Sequence, residues 1–263
     1  MKLTIITINF NNNEGLRKTL ESTLIQTYTN FEHCIIDGAS SDNSVDIIKD
    51  YKERANKKGI KVKWISERDS GIYDAMNKGI DMADGEYIQF LNGGDYLVNK
   101  ETVKDVDTYI NQNTVPIFYG NMLKASSTSK MKRCRGFKGE KITFLHFYTR
   151  TLNHPVTFIK KELFKKYGNY DTTLKIVADW EWFLRTVIIN AEEVGYYNKD
   201  IAIFDVQGIS SDPMRYTVER TKVLKYYIPD AILNDYKKLA SIMRKIRRIM
   251  NIINISSSSQ KHQ

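Results

Sequence analysis

Two acidic residues that lie far apart in the chain, Asp95 and Asp179, are the best candidates for chemistry. Asp95 ends residues 87–95, a short β-rich run that stops at two glycines and a carboxylate. Glycine lets backbone approach a ligand closely, and a hard carboxylate oxygen suits Mg²⁺ or Mn²⁺. Asp95 is therefore the candidate metal ligand, although an ordinary hairpin turn would explain the same run. The residues predicted to share this turn are Asn92, Gly93 and Gly94.

Asp179 precedes Trp180, from which apolar residues recur at helical spacing, so it is predicted at or near a helix start. A carboxylate at that position either caps the helix or acts as a general base toward an attacking hydroxyl. Glu181 points elsewhere on the same helix and is the second choice for the base.

The elements that would position these residues alternate between strand and helix four times in the first half. Predicted strands cover residues 3–10, 31–36, 62–65 and 87–91, and predicted helices cover residues 14–27, 44–58 and a segment after Ser70. This alternation predicts an α/β fold with parallel strands and right-handed crossovers. Ligands of such sheets bind just beyond the carboxyl ends of the strands.

Composition limits the partners. The 263 residues are 41% hydrophobic and 27% charged, which suits one large α/β domain with a small appendage. A formal charge of +9 favours anionic partners. Cys34 and Cys134 are too few for a disulfide framework and fit a reducing cytosol. The N-terminal run predicts a strand rather than a signal peptide, and no apolar run approaches the ~18 residues of a spanning helix.

Five motifs stand in an order and spacing that resemble the family 2 glycosyltransferases with a GT-A fold, over most of residues 3–205. The motifs are residues 7–11, residues 37–42, Asp69 with Gly71, residues 77–79 and residues 90–95. The resemblance implies an inverting hexosyltransferase with a nucleotide-sugar donor, UDP-sugar being favoured, and Mn²⁺ or Mg²⁺. It implies a GT-A nucleotide-binding fold with a mostly parallel central sheet and a C-terminal helical extension.

The resemblance also divides the chain. A GT-A domain is expected over residues 1–210, with a nucleotide-binding half at 1–98 and an acceptor half at 99–210. A basic helical extension at 211–255 and a disordered tail at 256–263 are expected to follow.

Residue roles come from the same resemblance. Asp37 is expected to bind the nucleobase, Asp179 to be the base, and His154 to lie near the donor phosphates or the acceptor. Each has a structural alternative: a turn for Asp37, capping for Asp69 and Asp74, an exposed helix position for Lys78 and a packing role for His154. The full expected donor-binding set is Thr7, Asn9, Phe10, Asp37, Asp69, Gly71, Asp74, Lys78, Asn92, Gly93, Gly94 and His154.

The metal motif departs from the usual Asp-X-Asp of the family. Asn92 and Gly94 replace the two acids, and only Asp95 remains ionised. With fewer fixed charges, the protein is expected to bind the metal together with the donor diphosphate rather than alone.

The C-terminal part predicts helices over residues 216–255, broken at Pro229, with basic residues beside an apolar face. Residues 237–255 are predicted either to contact an anionic membrane surface or to pack on the domain or a partner subunit. Residues 207–211 are predicted to be a lid or a plain connector. The resemblance suggests a cytoplasmic enzyme, peripheral on the inner membrane face, that extends a glycan or lipid-linked acceptor in bacterial polysaccharide or lipopolysaccharide synthesis.

Three rival classes fit less well. A nucleotidyltransferase making the nucleotide sugar would need a Gly-rich basic loop after the first strand, where residues 11–13 are asparagines. A dinucleotide dehydrogenase would need G-x-G-x-x-G after a strand. A nucleic-acid-binding protein would suit the charge, but the positive residues are scattered without a recognition motif, so no nucleic acid is expected as a partner.

Overall fold

The chain forms one mixed sheet flanked by helices, in a computed structural model that describes residues 1–124, 131–204 and 213–259. The strands are β1 (Leu3–Asn9), β2 (Glu32–Asp37), β3 (Lys61–Ser66), β4 (Tyr87–Phe90), β5 (Tyr96–Leu97), β6 (Ile117–Lys124), β7 (Lys132–Cys134), β8 (Thr157–Lys160) and β9 (Val194–Phe204). The helices are α1 (Asn13–Leu24), α2 (Ser44–Lys57), α3 (Ile72–Met82), α4 (Thr102–Gln112), α5 (Phe144–Thr149), α6 (Lys161–Tyr167), α7 (Ala178–Phe183), α8 (Pro213–Tyr227) and α9 (Asp230–Ser259).

The predicted parallel sheet forms the first half of this architecture. Strands β3, β2, β1 and β4 lie side by side and parallel, so the ends of β1, β2 and β4 meet at one edge. Beyond β4 the sheet is mixed, because β8 runs antiparallel to both β4 and β6 while β6 and β9 are parallel. The prediction of a mostly parallel sheet therefore describes the nucleotide-binding half better than the second half.

Two hydrophobic clusters cover the two faces of the sheet. Neighbouring residues of β1 alternate between them: Ile5 packs with α1 and α2, and Ile6 packs with α3 and α7. Both side chains are completely buried. Burying an isoleucine of this kind contributes about 1.5–3 kcal/mol, so the clusters hold the strand ends in a fixed arrangement.

The C-terminal helices differ in how they attach to the sheet. Val223 of α8 is buried in the cluster that contains α3 and α7. The predicted break at Pro229 is found between α8 and α9. Helix α9 continues to Ser259, past the start of the predicted tail, and residues 260–263 lie outside the described residues.

One prediction falls outside the described residues, namely the lid or connector at 207–211. Within the described part of the chain, every helix is too short or too polar to cross a membrane.

Candidate active site

The loop that follows β4 is held from below by helix α1. The Thr19 hydroxyl donates to the carbonyl of Asp95 at 2.6 Å and accepts from the amide of Gly94 at 2.9 Å. Asn12, which caps α1, donates its side-chain amide to the Gly93 carbonyl at 3.0 Å. Gly94 adopts φ of 116°, a left-handed conformation that favours glycine. The loop is thus a fixed shelf at the carboxyl end of the parallel sheet.

The same shelf offers oxygen atoms suited to a hard cation. Asp95 is buried. Among the described residues, the side-chain oxygens of Asn9 and Asn92 are buried without a hydrogen-bond partner. A Cβ at position 93 would come within 2.9 Å of the Asn9 oxygen, so Gly93 keeps this approach open. A carboxylate with amide oxygens fits Mn²⁺ or Mg²⁺ when a diphosphate supplies further ligands. No cluster of three His, Cys, Asp or Glu side chains suited to a metal occurs in the described residues.

Asp37 is a buried support rather than an open ligand group. Its carboxylate is completely buried and accepts from the Asn9 amide at 3.2 Å, the Ser40 amide at 2.9 Å and the Ser66 hydroxyl at 2.6 Å. These contacts occupy the oxygens that were expected to accept from a nucleobase. The carboxylate therefore fixes the end of β2 from within, and its role toward a nucleobase stays a prediction.

Thr7 is likewise inside the sheet. It is completely buried and donates to the Leu91 carbonyl at 2.7 Å, and it lies 2.9 Å from His33 Nε2. It was expected among the donor-binding residues, but its hydroxyl ties β1 to the residue that follows β4.

Phe10 and Asp69 lie together at the ends of β1 and β2, where the nucleotide is expected. The Phe10 ring is 59% exposed, which excludes the core role that a strand-end aromatic usually has. A Cβ at Gly38 would meet Asp69 Oδ2 at 2.6 Å and the Phe10 ring at 3.2 Å, so both side chains converge over this glycine. The missing side chain at position 38 therefore leaves room for a carboxylate beside an exposed aromatic ring.

The two acids near the start of α3 bind backbone amides just before the helix. Asp74 accepts from the amide of Ser70 at 2.9 Å, and Asp69 Oδ1 accepts from the amide of Gly71 at 3.0 Å. Gly71 has φ of 134°. Lys78 pairs with Glu67 at 2.8 Å, so its ammonium is engaged on the protein surface. Both acids therefore order the turn before α3, although no side chain caps the helix at Gly71. The second oxygen of Asp69 lies near Gly38, beside the Phe10 ring.

The polar interruption of α3 by Asn77 and Gly79 has a structural reason. The Asn77 amide donates to the Tyr170 carbonyl at 2.9 Å and accepts from the Tyr170 amide at 3.0 Å. A Cβ at Gly79 would come within 2.4 Å of Ile6, so the glycine lets α3 pack closely on β1. Both residues fix α3 between the sheet and the segment that leads to Asp179.

Asp179 lies at the second position of α7 without capping it. The cap position is Val177, and no side chain caps the helix. Asp179 Oδ1 lies 2.8 Å from the hydroxyl of Tyr73, which also lies 2.7 Å from the carbonyl of Ile176. The Asp179 side chain is 22% exposed. The carboxylate is therefore held by a residue of α3 and still reaches solvent, as a general base must.

His154 lies beside Asp179. Its Nδ1 is 3.7 Å from Asp179 Oδ2, its Nε2 is 3.1 Å from the Tyr170 hydroxyl, and its ring packs against Phe90. Burial lowers the pKa of His154, and the nearby Asp179 carboxylate only partly opposes this. The imidazole is neutral at pH 7 and nearly inaccessible, so it borders Asp179 without an open face for donor phosphates.

Glu181, the rival base, is engaged elsewhere. It is 5% exposed, forms an ion pair with Arg185 at 2.9 Å and accepts from the Tyr227 hydroxyl at 2.5 Å. The contact with Tyr227 anchors α7 to α8, and both contacts leave Asp179 as the more accessible acid of the helix.

Tyr73, near the start of α3, contacts Asp179, and Asp69 lies just before the same helix. The shelf follows β4, whose Phe90 packs on His154 beside Asp179. Sequence reasoning missed the residues that hold these groups, of which Thr19, Tyr73 and Tyr170 are the main ones. A tyrosine near the start of a helix otherwise rich in small and polar residues was the available signal for Tyr73.

Comparisons with known proteins identify the family of the chain. The sequence model of the family described as Glycosyl transferase family 2 matches residues 4–168, more than half of the chain. The PGL/p-HBAD biosynthesis glycosyltransferase of Mycobacterium bovis (strain BCG / Pasteur 1173P2) is 28% identical over 190 residues, covering 72% of this chain and 71% of the relative.

Two solved structures are similar in fold. S. aureus TarS 1–349 in complex with UDP-GlcNAc has a TM-score of 0.69 at 22% identity, over 90% of this chain and 70% of that one. The mannosyltransferase PcManGT from Pyrobaculum calidifontis in complex with GDP-Man and Mn²⁺ has a TM-score of 0.66 at 14% identity, over 87% and 64%. In another crystal structure of TarS 1–349 the chain spans 60% of the fragment. With the GT-A architecture and the family match in agreement, the chain belongs to glycosyl transferase family 2 and is a glycosyltransferase.

Proposed function

We propose that the chain moves a sugar, with inversion, from a nucleotide-sugar donor to a hydroxyl of a glycan or lipid-linked acceptor. The observation that carries this proposal is the contact between Tyr73 and Asp179. Tyr73 lies two residues after Gly71 in the helix that begins at the nucleotide side, so one short segment joins the donor region to the base. A displacement reaction needs a leaving group and a base on opposite sides of one carbon.

The donor lies across the carboxyl ends of β1, β2 and β4 in this proposal. Its nucleobase stacks on Phe10, and Asp69 Oδ2 accepts an N–H from the nucleobase. Asp69 is favoured over Asp37 for this contact, because Asp37 is buried and already hydrogen-bonded. UDP is favoured over GDP because TarS 1–349 was solved with UDP-GlcNAc, and GDP remains the alternative because PcManGT was solved with GDP-Man.

The diphosphate lies over the shelf at residues 92–95. Asp95 and the side-chain oxygen of Asn92 would hold Mn²⁺ or Mg²⁺ there, together with diphosphate oxygens. When bound, the metal offsets the charge that develops on the departing diphosphate. Thr19 fixes the backbone of the shelf, and this backbone holds the diphosphate in a constant position relative to Asp179.

Asp179 removes the proton from the acceptor hydroxyl as its oxygen attacks the anomeric carbon. Tyr73 orients the carboxylate from one side. The neutral imidazole of His154 borders the other oxygen and keeps bulk water away from that side. Attack from the face opposite to the diphosphate inverts the configuration of the sugar carbon.

Donor-dependent stabilisation tests the proposal. The thermal midpoint is expected to rise with UDP plus Mn²⁺, to rise less with either alone, and to be unchanged with an oligonucleotide. A hydrolysis screen across UDP-, GDP- and dTDP-sugars then identifies the donor. A protein that hydrolyses none of these and gains no stability from any nucleotide would contradict the proposal.

The acceptor is proposed to be a growing glycan of a bacterial polysaccharide or lipopolysaccharide, reached at the inner face of the cytoplasmic membrane. The first part of α9 packs on α5 through Tyr236, whose ring lies 4.6 Å from that of Phe144. A row of apolar side chains on the same helix stays exposed, beside lysines at 237, 238 and 245. The exposed apolar residues are Leu239, Ile242, Met243 and Ile246. An apolar row beside cationic side chains suits an anionic bilayer surface.

Co-sedimentation with vesicles tests the membrane contact. Replacing Leu239, Ile242 and Ile246 together by Ser is expected to abolish binding to vesicles containing phosphatidylglycerol, and high salt is expected to weaken binding of the natural chain. Ile25→Ser is the control, since Ile25 is 53% exposed on a different surface. Equal binding by the triple variant and the natural chain would exclude this contact.

A further inference from the structure

Helix α8 contacts the segment that leads into the base. Glu219 accepts the backbone N–H of Lys175 with one carboxylate oxygen and that of Ile176 with the other, each at 2.9 Å. Its side chain is 13% exposed, so these charge-assisted hydrogen bonds are shielded from solvent. Asp179 follows only three residues after Ile176. The carboxylate therefore fixes the backbone immediately before the base.

The same segment is held from the donor side by α3. The Ile176 carbonyl lies 2.7 Å from the Tyr73 hydroxyl, and the Lys175 ammonium donates to the Ser70 carbonyl at 3.2 Å. Residues 175–176 thus lie between the start of α3 and the middle of α8. Removing either contact would leave the entry to α7 held on one side.

Arg220, next to Glu219, holds α7 itself. It is 8% exposed, and its guanidinium lies 4.2 Å from the centre of the Trp180 ring. It donates to the Phe147 carbonyl, which also accepts from Trp180 Nε1 at 3.0 Å. Trp180 is the residue after Asp179. Helix α8 therefore contacts the chain both before and after the base.

We infer that Glu219 is a positioning residue for the transfer reaction, acting through residues 175–176 on Asp179. The inference rests on the proposed function, because it assumes that Asp179 is the base. The family match ends at residue 168, so Glu219 and the whole of α8 lie beyond the segment that the match covers. In this view α8 is part of the catalytic unit, whereas only α9 is an appendage.

The test compares Glu219→Gln with the control Glu193→Gln. The control makes the same substitution at an exposed residue outside α7 and α8. The probe is the sugar nucleotide that the hydrolysis screen selects, with glycerol as a surrogate acceptor. Glu219→Gln is expected to lower kcat about tenfold with the donor KM within twofold, and to lower the ratio of glycosyl-glycerol to free sugar. The product ratio should fall because a small, mobile water can still reach a displaced carboxylate, whereas glycerol needs a more exact position. Glu219→Asp is expected to restore part of kcat, and Glu193→Gln to change nothing.

Two results would overturn the inference. One is an unchanged kcat and product ratio for Glu219→Gln when Asp179→Asn is inactive, which would leave the proposed function intact. The other is a fall in kcat equal to the fall in the fraction of protein molecules that bind donor. A purely structural role of Glu219 would lower both quantities together, because part of the protein would be unfolded. Full turnover by Asp179→Asn would instead overturn the proposed function and this inference with it.

Discussion

The two sides of the candidate cleft are built differently. On the donor side, polar groups stand directly at strand ends and are fixed by near neighbours across the parallel sheet, as Asp37 is by Asn9 and Ser66. On the base side, Asp179 stands on a six-residue helix and is oriented by Tyr73, which is 106 residues away in the chain. The donor side is therefore built by the sheet, whereas the base side depends on how α3, α7 and α8 pack together.

This difference predicts different sensitivities to mutation. Substitutions at the strand ends should change donor binding or fold stability, because their contacts belong to the sheet. Substitutions around Asp179 should change turnover while donor binding is retained, because α7 and α8 contain none of the proposed donor contacts. The four predictions below test this contrast, beginning with the largest effect.

Asp179→Asn is expected to lower transfer about 10³-fold, because the amide cannot take the acceptor proton. Donor affinity, measured by thermal stabilisation, should stay within twofold of the natural chain. Asp81→Asn, an exposed acid on α3, is the matched control. Turnover within tenfold of normal would remove Asp179 as the base and with it the contrast between the two sides.

Asp95→Asn is expected to lower turnover about 10²-fold and to weaken the dependence on Mn²⁺, since a ligand charge is lost at the shelf. UDP binding measured without metal should change little. Titrating turnover against Mn²⁺ at saturating donor separates the two effects. An unaltered Mn²⁺ requirement in the variant would place the metal ligand elsewhere.

Tyr73→Phe is expected to lower kcat about tenfold, because one hydrogen bond to Asp179 Oδ1 is lost while the carboxylate remains. The donor KM should be nearly unchanged, in contrast to Phe10→Ala, which should raise KM with little effect on kcat. Steady-state kinetics on both variants would show the split. If both variants raised KM alone, the base side would not be a separate unit.

The donor side has its own pH signature in His33, which is buried between β1 and α2. Its ring contacts Thr7 at 2.9 Å and Tyr51 at 2.7 Å, and burial lowers the pKa of His33 to about 3. The unfolded chain binds a proton near pH 6.5 and the folded chain does not, so stability is lost as the pH falls below 6.5. Between pH 7 and 5 this group alone should remove about 2 kcal/mol of unfolding free energy.

Urea denaturation at several pH values measures this slope. His33→Gln should be less stable at pH 7 and show a smaller loss between pH 6.5 and 5, because the group that titrates is gone. An equal slope in both proteins would mean that other groups govern the acid sensitivity.

The sequence predicts the first four strands and their helices within a few residues, because each has a clear hydrophobic period and a polar stop. It also places Asp95 and Asp179 at a strand end and a helix start. It fails where the outcome depends on a neighbouring element. Asp37 reads as an open ligand group, but Asn9, Ser40 and Ser66 surround it, and these residues are 28, 3 and 29 positions away.

The proposed contact to the nucleobase involves Asp69 for the same reason. Gly38 has no side chain, so the carboxylate that faces Phe10 comes from Asp69, 31 residues later. Tyr73, Asn77 and Glu219 were not singled out as supports of the base, because their partners lie more than 40 residues away in the chain. Periodicity reports which face of an element is buried, but it does not report which backbone groups need a partner from another element.

The Tyr73 hydroxyl lies within reach of two acceptors, the Ile176 carbonyl and Asp179 Oδ1, but it has a single hydrogen. In the proposed reaction, that hydrogen serves the carboxylate while Asp179 is ionised. When Asp179 has taken the acceptor proton, rotation about the Cζ–O bond would turn the hydrogen to the Ile176 carbonyl, and the tyrosine oxygen would accept from the new acid. Rotation of the Tyr73 hydroxyl would thus satisfy both the ionised and the protonated form of Asp179, without any movement of the surrounding backbone.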